Sequence, residues 1–219
     1  MTFLWRRAGA VGLAALLTTL LAGCPRTVGP TDTGPEPGED GGTSNYDPVM
    51  GMPFTGTPEF DDERVRNLDP SLLRAGDTPC RAPILGRVVQ AVDGDTILVD
   101  GESEVFNARV RMIGVDTPEL AHDGMGAECY AREAQEFTEN LVDHLVYLTF
   151  DNECFDRFDR PLAYIHVGGG QGDIWERQLL RRGFGESFPF GDNRTYEALF
   201  AGDQQTAVRD GVGKWGICF

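Results

Sequence analysis

"ILGRVVQAVDGDTILVDG", residues 84–101, reads as two runs rich in Val, Ile, Leu and Thr on either side of Asp93 and Gly94. Asp-Gly between β-rich runs is a strong signal for a hairpin. A second turn at "DGES" leads into "EVFNARVRMIGV", a third run that completes a three-stranded meander. In the stretch that follows, Ala131, Ala134, Phe137, Leu141 and Leu145 stand near helical spacing, which predicts a helix over 131–144. "VYLTFD" and "PLAYIHV" read as two more strands, with the charged loop "NECFDRFDR" between them. "DIWERQLLRRGFG" reads as a second helix stopped by Gly183, and a third is predicted over 195–209 with Asp192 or Asn193 as its cap. Five strands with three helices describe an α+β domain, a five-stranded barrel of the OB type.

Upstream, the composition divides the chain of 219 residues. Residues 1–24 place Arg6 and Arg7 before an apolar run that closes on small residues, the pattern of an export signal. The closing "LAGC" resembles the lipobox of bacterial lipoproteins, which implies cleavage before Cys24 and lipidation of its thiol. From Pro25 to about Phe60, Pro, Gly, Thr, Asp and Glu dominate with too little apolar content for a core. With 61–79, where Asp69 and Pro70 suit the start of one helical turn, this makes an acidic tether over 25–79. The globular domain is expected over 80–219, held to the cell envelope by the lipid, with the outer membrane as the expected address.

Four cysteines lie in that domain, and none forms a CxxC pair, so a zinc site is not indicated. In an exported chain they read as two disulfides, for which Cys80–Cys218 and Cys129–Cys154 are the expected pairings. Residues 80–219 carry 24 acidic against 13 basic side chains, a net of −11, and Lys214 is the chain's single lysine. General nucleic-acid binders are usually basic. The acidity also fits a merely soluble surface.

The chemistry concentrates in "VRMIGVDTPEL", residues 110–120, where a buried strand ends in two carboxylates and carries Arg111. Unpaired charges are costly to bury, so the cluster points to a metal, a phosphate or both as the missing partner. Asp95, after the hairpin turn, and Asp116 are hard oxygen donors on adjacent strands, which suits Ca²⁺, although the spacing is not that of an EF-hand. Asp93 reads as a turn residue. Glu119, beyond the rigid Pro118, is placed to orient or deprotonate a water. Arginines match the equatorial oxygens of a phosphodiester in attack. Arg109 and the Asp156 and Arg157 pair read as ordinary surface ion pairs. His122, His144 and His166 lack metal-site spacing, and "GGGQG" (168–172) is a loop with no following Lys-Ser.

"AVDGDT", "VRMIGVDTPEL", "CYAREAQEFT", "DRFDRPLAYI" and "LLRRGFG" occur in the order found in the staphylococcal nuclease, or thermonuclease, family, and the chain resembles that family over about residues 84–216. The resemblance implies that Asp95, Asp116 and the carbonyl of Thr117 hold Ca²⁺, that Glu119 activates water, and that Arg111 and Arg160 clamp the phosphate. It implies a monomeric enzyme that cleaves DNA and RNA to 3′-phosphates and favours single-stranded substrate. The chain departs from the pattern at several points. Phe158 stands where a phosphate-binding Tyr is expected, Asp159 and Pro161 replace glycines beside Arg160, and Phe188 or Phe190 stands for a base-stacking Tyr. These departures and the net charge leave two rivals: a non-catalytic OB-type binding module, and a phosphodiesterase for a small nucleotide.

Overall fold

Val88, Ile97, Val99 and Val110 are wholly buried, and they come from three successive strands whose apolar residues turn to one interior. In the computed structural model, which describes residues 47, 49–102, 105–121 and 124–219, these strands are β1 (Ile84–Ala91), β2 (Thr96–Gly101) and β3 (Asn107–Met112). They form the expected antiparallel meander. Further on come β4 (Gly114–Asp116), β5 (Leu145–Thr149), β6 (Leu162–His166) and β7 (Glu186–Phe188). β1, β2, β3, β6 and β5 close into a barrel, with β6 parallel to β3 and β5 pairing back to β1. Closure leaves no free edge in the barrel.

The third run does not continue straight to Asp116. Gly114 takes φ +84, and the Phe200 ring lies 2.5 Å from where its Cβ would stand, so only glycine permits the bend. Past the bend, β4 leaves the barrel and pairs with β7 as a separate two-stranded sheet, with Asp116 opposite Glu186 and Gly114 opposite Phe188. That departure lifts Asp116 over the barrel rim and brings the "ESFPF" aromatics beside it.

Among the described residues five α-helices surround the barrel: α1 (Asp62–Arg66), α2 (Ala131–Thr138), α3 (Trp175–Arg181), α4 (Glu197–Asp210) and α5 (Lys214–Ile217). The helix expected over 131–144 ends at Thr138 and continues as a single 3₁₀ turn, Glu139–Leu141. Asn140 draws its amide onto the Glu136 and Phe137 carbonyls, and Asp143 turns at φ +68, which redirects the chain into β5. Gly183, at φ +73, stops the segment after α3 as expected. α4 is preceded by Tyr196 without a side-chain cap, so neither Asp192 nor Asn193 caps it.

The tether expected over 25–79 does not extend through residues 49–79. Residues 49–79 pack on the barrel and its helices as part of the compact unit Ser44–Phe219. Met52 is buried, its N–H donates to Asp173 Oδ1 at 2.8 Å, and Gln171 and Gly172 donate to the carbonyls of Val49 and Met50. A Cβ on Gly172 would stand 1.9 Å from the Met52 carbonyl oxygen, so "GGGQG" is the glycine seat of this N-terminal strap. Phe54 lies under the guanidinium groups of Arg177 and Arg181. Asp69 caps the turn Pro70–Leu72 as read from the sequence. The expected export signal, Cys24 and the part of the expected tether up to residue 46 lie outside the described residues. Among the described residues no helix is long and apolar enough to cross a membrane.

All four domain cysteines are bridged, but in the other pairing: Cys80 with Cys154 and Cys129 with Cys218. Cys80 donates its N–H to the Asp151 carbonyl and so lies along the end of β5, beside Cys154. α4 and α5 return the C-terminus to the start of α2, beside Cys129. Trp175 and Tyr164 are core, whereas Trp215 is only half-buried.

Candidate active site

Asp95 follows the hairpin turn as a buried carboxylate, and the turn is built to place it there. Asp93 Oδ1 accepts the Asp95 N–H at 3.1 Å, and the Gly94 carbonyl accepts the Thr138 hydroxyl at 2.6 Å from α2. A Cβ on Gly94 would sit 2.6 Å from Thr117 Oγ1 and 2.8 Å from the Ala134 Cβ, so the turn passes between β4 and α2 with room for glycine alone. Asp95 Oδ2 accepts the N–H of Thr117 at 2.7 Å and its hydroxyl at 3.0 Å. Its Oδ1 pairs with Arg111 and accepts the Thr96 hydroxyl.

Arg111 is buried and bridges the two carboxylates. One arm pairs with Asp95, while Nη2 reaches Asp116 Oδ1 at 2.6 Å and the Val115 carbonyl at 3.2 Å. The neighbouring Asp93 carboxyl feels opposing effects. Burial pushes its pKa up, and the charges of Arg111 and Arg160 with the Thr96 hydrogen bonds only partly oppose this. Asp93 is therefore more than a turn residue, since it supports Asp95 and stands in the field of both arginines.

Asp95 and Asp116 thus converge on one positively charged group, with Thr117 between them, and the side chains around that group offer only oxygen. Such a donor set fits a hard cation of the calcium class. Among the described residues no three His, Cys, Asp or Glu side chains converge on a metal-sized space.

The other half of the site is the loop between β5 and β6. Asp156 accepts the N–H of Phe158 at 2.8 Å, the N–H of Arg160 at 2.9 Å and Arg160 Nε at 2.7 Å. Burial alone would raise its pKa, but the hydrogen bonds from Arg160 and Phe158 outweigh it and hold the carboxyl below its usual range. The pair expected between Asp156 and Arg157 is instead Asp156–Arg160. Arg157 lies over the Phe158 ring at 4.7 Å, with Arg160 at 5.6 Å. Asp159 adopts φ +59, the left-handed conformation that favours glycine at this point.

These groups line one cleft of ≈ 470 Å³, formed by Arg111, Asp116, Glu119, Asp156, Arg157, Phe158, Arg160, Phe188 and Phe190. Glu119 is exposed at its wall. Phe188 and Phe190 meet edge to face at 6.2 Å, and Phe158 and Phe188 are largely open to solvent. Every residue expected to carry chemistry is therefore in or directly beneath this cleft. Arg109 is exposed outside it and makes no ion pair among the described residues. His144 pairs with Asp62 and His166 with Thr149, so neither is free for a metal, and His122 lies outside the described residues. Asp156 as the holder of Arg160, and Arg157 as a cleft cation, were missed from sequence. The signal was present in "DRFDR", since an Asp whose carboxylate takes the N–H groups two and four residues on is a recurrent turn device.

Residues 109–216 match the family described as staphylococcal nuclease homologue. The chain is 33 % identical over 124 residues to a thermonuclease of Staphylococcus hyicus, spanning 56 % of this chain and 70 % of that protein. It is 31 % identical over 129 residues to a thermonuclease of Staphylococcus intermedius, spanning 58 % and 74 % respectively. A protein of Phaeosphaeria nodorum named as a probable endonuclease is 30 % identical over 122 residues, covering half of this chain and 38 % of that one.

Proposed function

The chain belongs to the staphylococcal nuclease homologue family, and from that premise we propose that it is a calcium-dependent nuclease that hydrolyses phosphodiester bonds of single-stranded DNA and RNA, leaving 3′-phosphates. The observation that carries the reading is the cleft in which Arg111, held by Asp95 and Asp116, shares a wall with Glu119 and Arg160. Calcium held by Asp95, Asp116 and the Thr117 carbonyl would supply Lewis-acid stabilisation of charge on a phosphoryl oxygen.

The remaining work falls to the chain's own groups. Glu119 accepts a proton from the attacking water. Arg160, with its Nε fixed by Asp156, presents its two remaining arms to the phosphate. Arg111, buried between Asp95 and Asp116, would direct a guanidinium edge to the same oxygens. Phe158, Phe188 and Phe190 offer π-faces on which bases stack without regard to sequence, a contact of about 1–3 kcal/mol per base. None of the three has a hydroxyl to add to the arginine contacts on the phosphate.

The test is cleavage of heat-denatured DNA by the purified chain with Ca²⁺ and with chelator, beside Glu119→Gln. Chelator-sensitive cleavage that falls steeply in the variant supports the reading, and no cleavage across salt and Ca²⁺ concentrations refutes it. The net charge of −11 over residues 80–219 favours a second reading, a phosphodiesterase for small nucleotides. A polynucleotide clamp loses affinity steeply with salt, whereas a one-phosphate site does not.

We further propose that the enzyme acts outside the cytoplasm as a monomer, anchored through a lipidated Cys24 at the outer membrane. Its two disulfides support export, since such bonds persist in oxidising compartments. Fatty-acid labelling that disappears in Cys24→Ser checks the anchor.

A further inference from the structure

Glu119 leaves β4 through Pro118 into a loop on the surface. It is tied to Glu128, nine positions along the chain. The Glu119 N–H donates to Glu128 Oε2 at 3.0 Å, and the Glu128 N–H donates to the Glu119 carbonyl at 2.9 Å. This reciprocal clasp closes the intervening loop at its base. Exposed hydrogen bonds of this kind are weak in water, each worth about 1 kcal/mol net, and a free loop would open and close them.

The next residue removes that freedom. Cys129 is bonded to Cys218, and Tyr130 then turns the chain at φ +73 into α2. Cys218 is itself held, because its N–H donates to the Lys214 carbonyl and the Lys214 N–H donates to the Gly183 carbonyl at 2.9 Å. The same hook reaches the other end of the site segment. Lys214 Nζ donates to Glu186 Oε1 at 2.6 Å, and Glu186 stands opposite Asp116 in the β4–β7 ladder. Residues 214–218 therefore bracket Asp116 and Glu119 from both sides, by an ion pair at one end and a disulfide at the other.

We infer that this C-terminal hook is a positioning device for the site, in which Glu128 is the positioning residue for Glu119 and the Cys129–Cys218 bond fixes Glu128. The inference rests on the nuclease reading, in which Glu119 handles the proton of the attacking water. A misplacement of about 1 Å at a reacting group costs on the order of 100-fold in rate. Loosening the clasp should therefore lower kcat while leaving the arginine and aromatic contacts that set KM in place.

The experiment compares the wild-type chain with Glu128→Ala, Glu128→Gln and the double variant Cys129→Ser/Cys218→Ser on denatured DNA with Ca²⁺. It is run at a temperature where circular dichroism finds each protein folded. The expected result is a kcat lowered about 10- to 100-fold in Glu128→Ala and in the cysteine variant, with KM changed by less than about twofold. Glu128→Gln restores most of the rate, because its amide oxygen still accepts the Glu119 N–H. In a Glu119→Gln background, Glu128→Ala produces no further loss. A lowered melting temperature with kcat unchanged in both variants would overturn the inference and leave the hook a purely structural brace. Should the cysteine variant not fold, Glu128→Ala decides alone, since its disulfide is intact. An inactive wild type overturns the nuclease reading and this inference with it, whereas an active wild type with indifferent variants overturns this inference only.

Discussion

Asp156 is the residue whose removal tests the geometry of the arginine loop most directly. Its side chain is 1 % exposed and accepts three hydrogen bonds, two of them from Arg160. Asp156→Ala leaves two N–H groups and one arm of a guanidinium without their acceptor. Water reaches part of this loop, so the losses are not those of a sealed core. Counting about 0.5–1.5 kcal/mol for each N–H and about 1.5–3 for the charged bond, with partial rescue by solvent, gives a destabilisation of about 2–4 kcal/mol. For a domain of this size that is a fall in Tm of about 5–15 °C. The Arg160 head, released from its brace, should also cost about 10- to 100-fold in kcat. Asp156→Asn should fall between, since it keeps an acceptor for the backbone but loses the charge that orients Arg160. The folded carboxyl titrates below the ordinary aspartate value of about 3.8. Its contribution is therefore complete above that unfolded value and is lost as the pH falls through the folded one. Thermal melts from pH 3 to 8 and single-turnover cleavage provide the assay. If Asp156→Ala melts with the wild type and cleaves at the wild-type rate, Asp156 does not hold the loop and the reasoning fails.

Three more outcomes follow from buried groups. Glu176 is wholly buried, accepts only backbone N–H groups in the contacts described, and has its pKa raised well above 4.5 by burial. A raised folded pKa makes stability fall as the pH rises above about 4.5, so Glu176→Gln should gain about 1–3 kcal/mol in urea unfolding at pH 7–8 and gain little at pH 4. His166, pushed down to about 4 by burial, stays neutral when folded; the wild type should therefore lose stability relative to His166→Gln as the pH falls from about 6.5 to 4 and show no such trend above pH 7. Gly172→Ala places a methyl against the Met52 carbonyl, so the strap should detach or shift. Limited proteolysis should then cut near residues 49–60 faster than in the wild type, and equal rates would disprove the glycine seat.

Much of the barrel was legible because its code is local. Two β-rich runs around Asp93-Gly94 can form little except a hairpin, and the apolar spacing from Ala131 to Phe137 is helical from end to end. Asp95, Arg111 and Asp116 were legible as charged groups in or at the ends of apolar strands, where burial without a partner is costly, and Glu119 from its place three residues after Asp116, past the rigid Pro118. What the sequence hid depends on contacts between distant residues. The strap at 49–60 is too short and too broken by Gly and Pro to reveal a core of its own, and it folds because Gly170 and Gly172 admit its backbone and Asp173 accepts the Met52 N–H. The disulfide pairing turns on where α4 and α5 deliver Cys218, which no local pattern contains. The break at Gly114 was invisible because the residue that requires it, Phe200, lies in another helix.

The pairing that the structure adopts bears on how an acidic domain keeps such a site in order. A net charge of −11 over residues 80–219 is self-repelling, and the cleft gathers Asp116, Glu119 and Asp156 beside three arginines. Flexible loops would relieve that repulsion by letting carboxylates drift apart. Each loop is instead tied to one end of the barrel domain. Cys80–Cys154 anchors the chain two residues before Asp156, and Cys129–Cys218 anchors it one residue after Glu128. With the loops held, the arginines and carboxylates alternate at close range, and the long-range repulsion of the surface matters less than the local pairing. A substrate phosphate approaching this protein is not drawn in by its overall field. On the proposed reading it would be captured at short range by the cleft arginines, while the uncharged phenylalanine faces, which salt does not screen, would receive the bases.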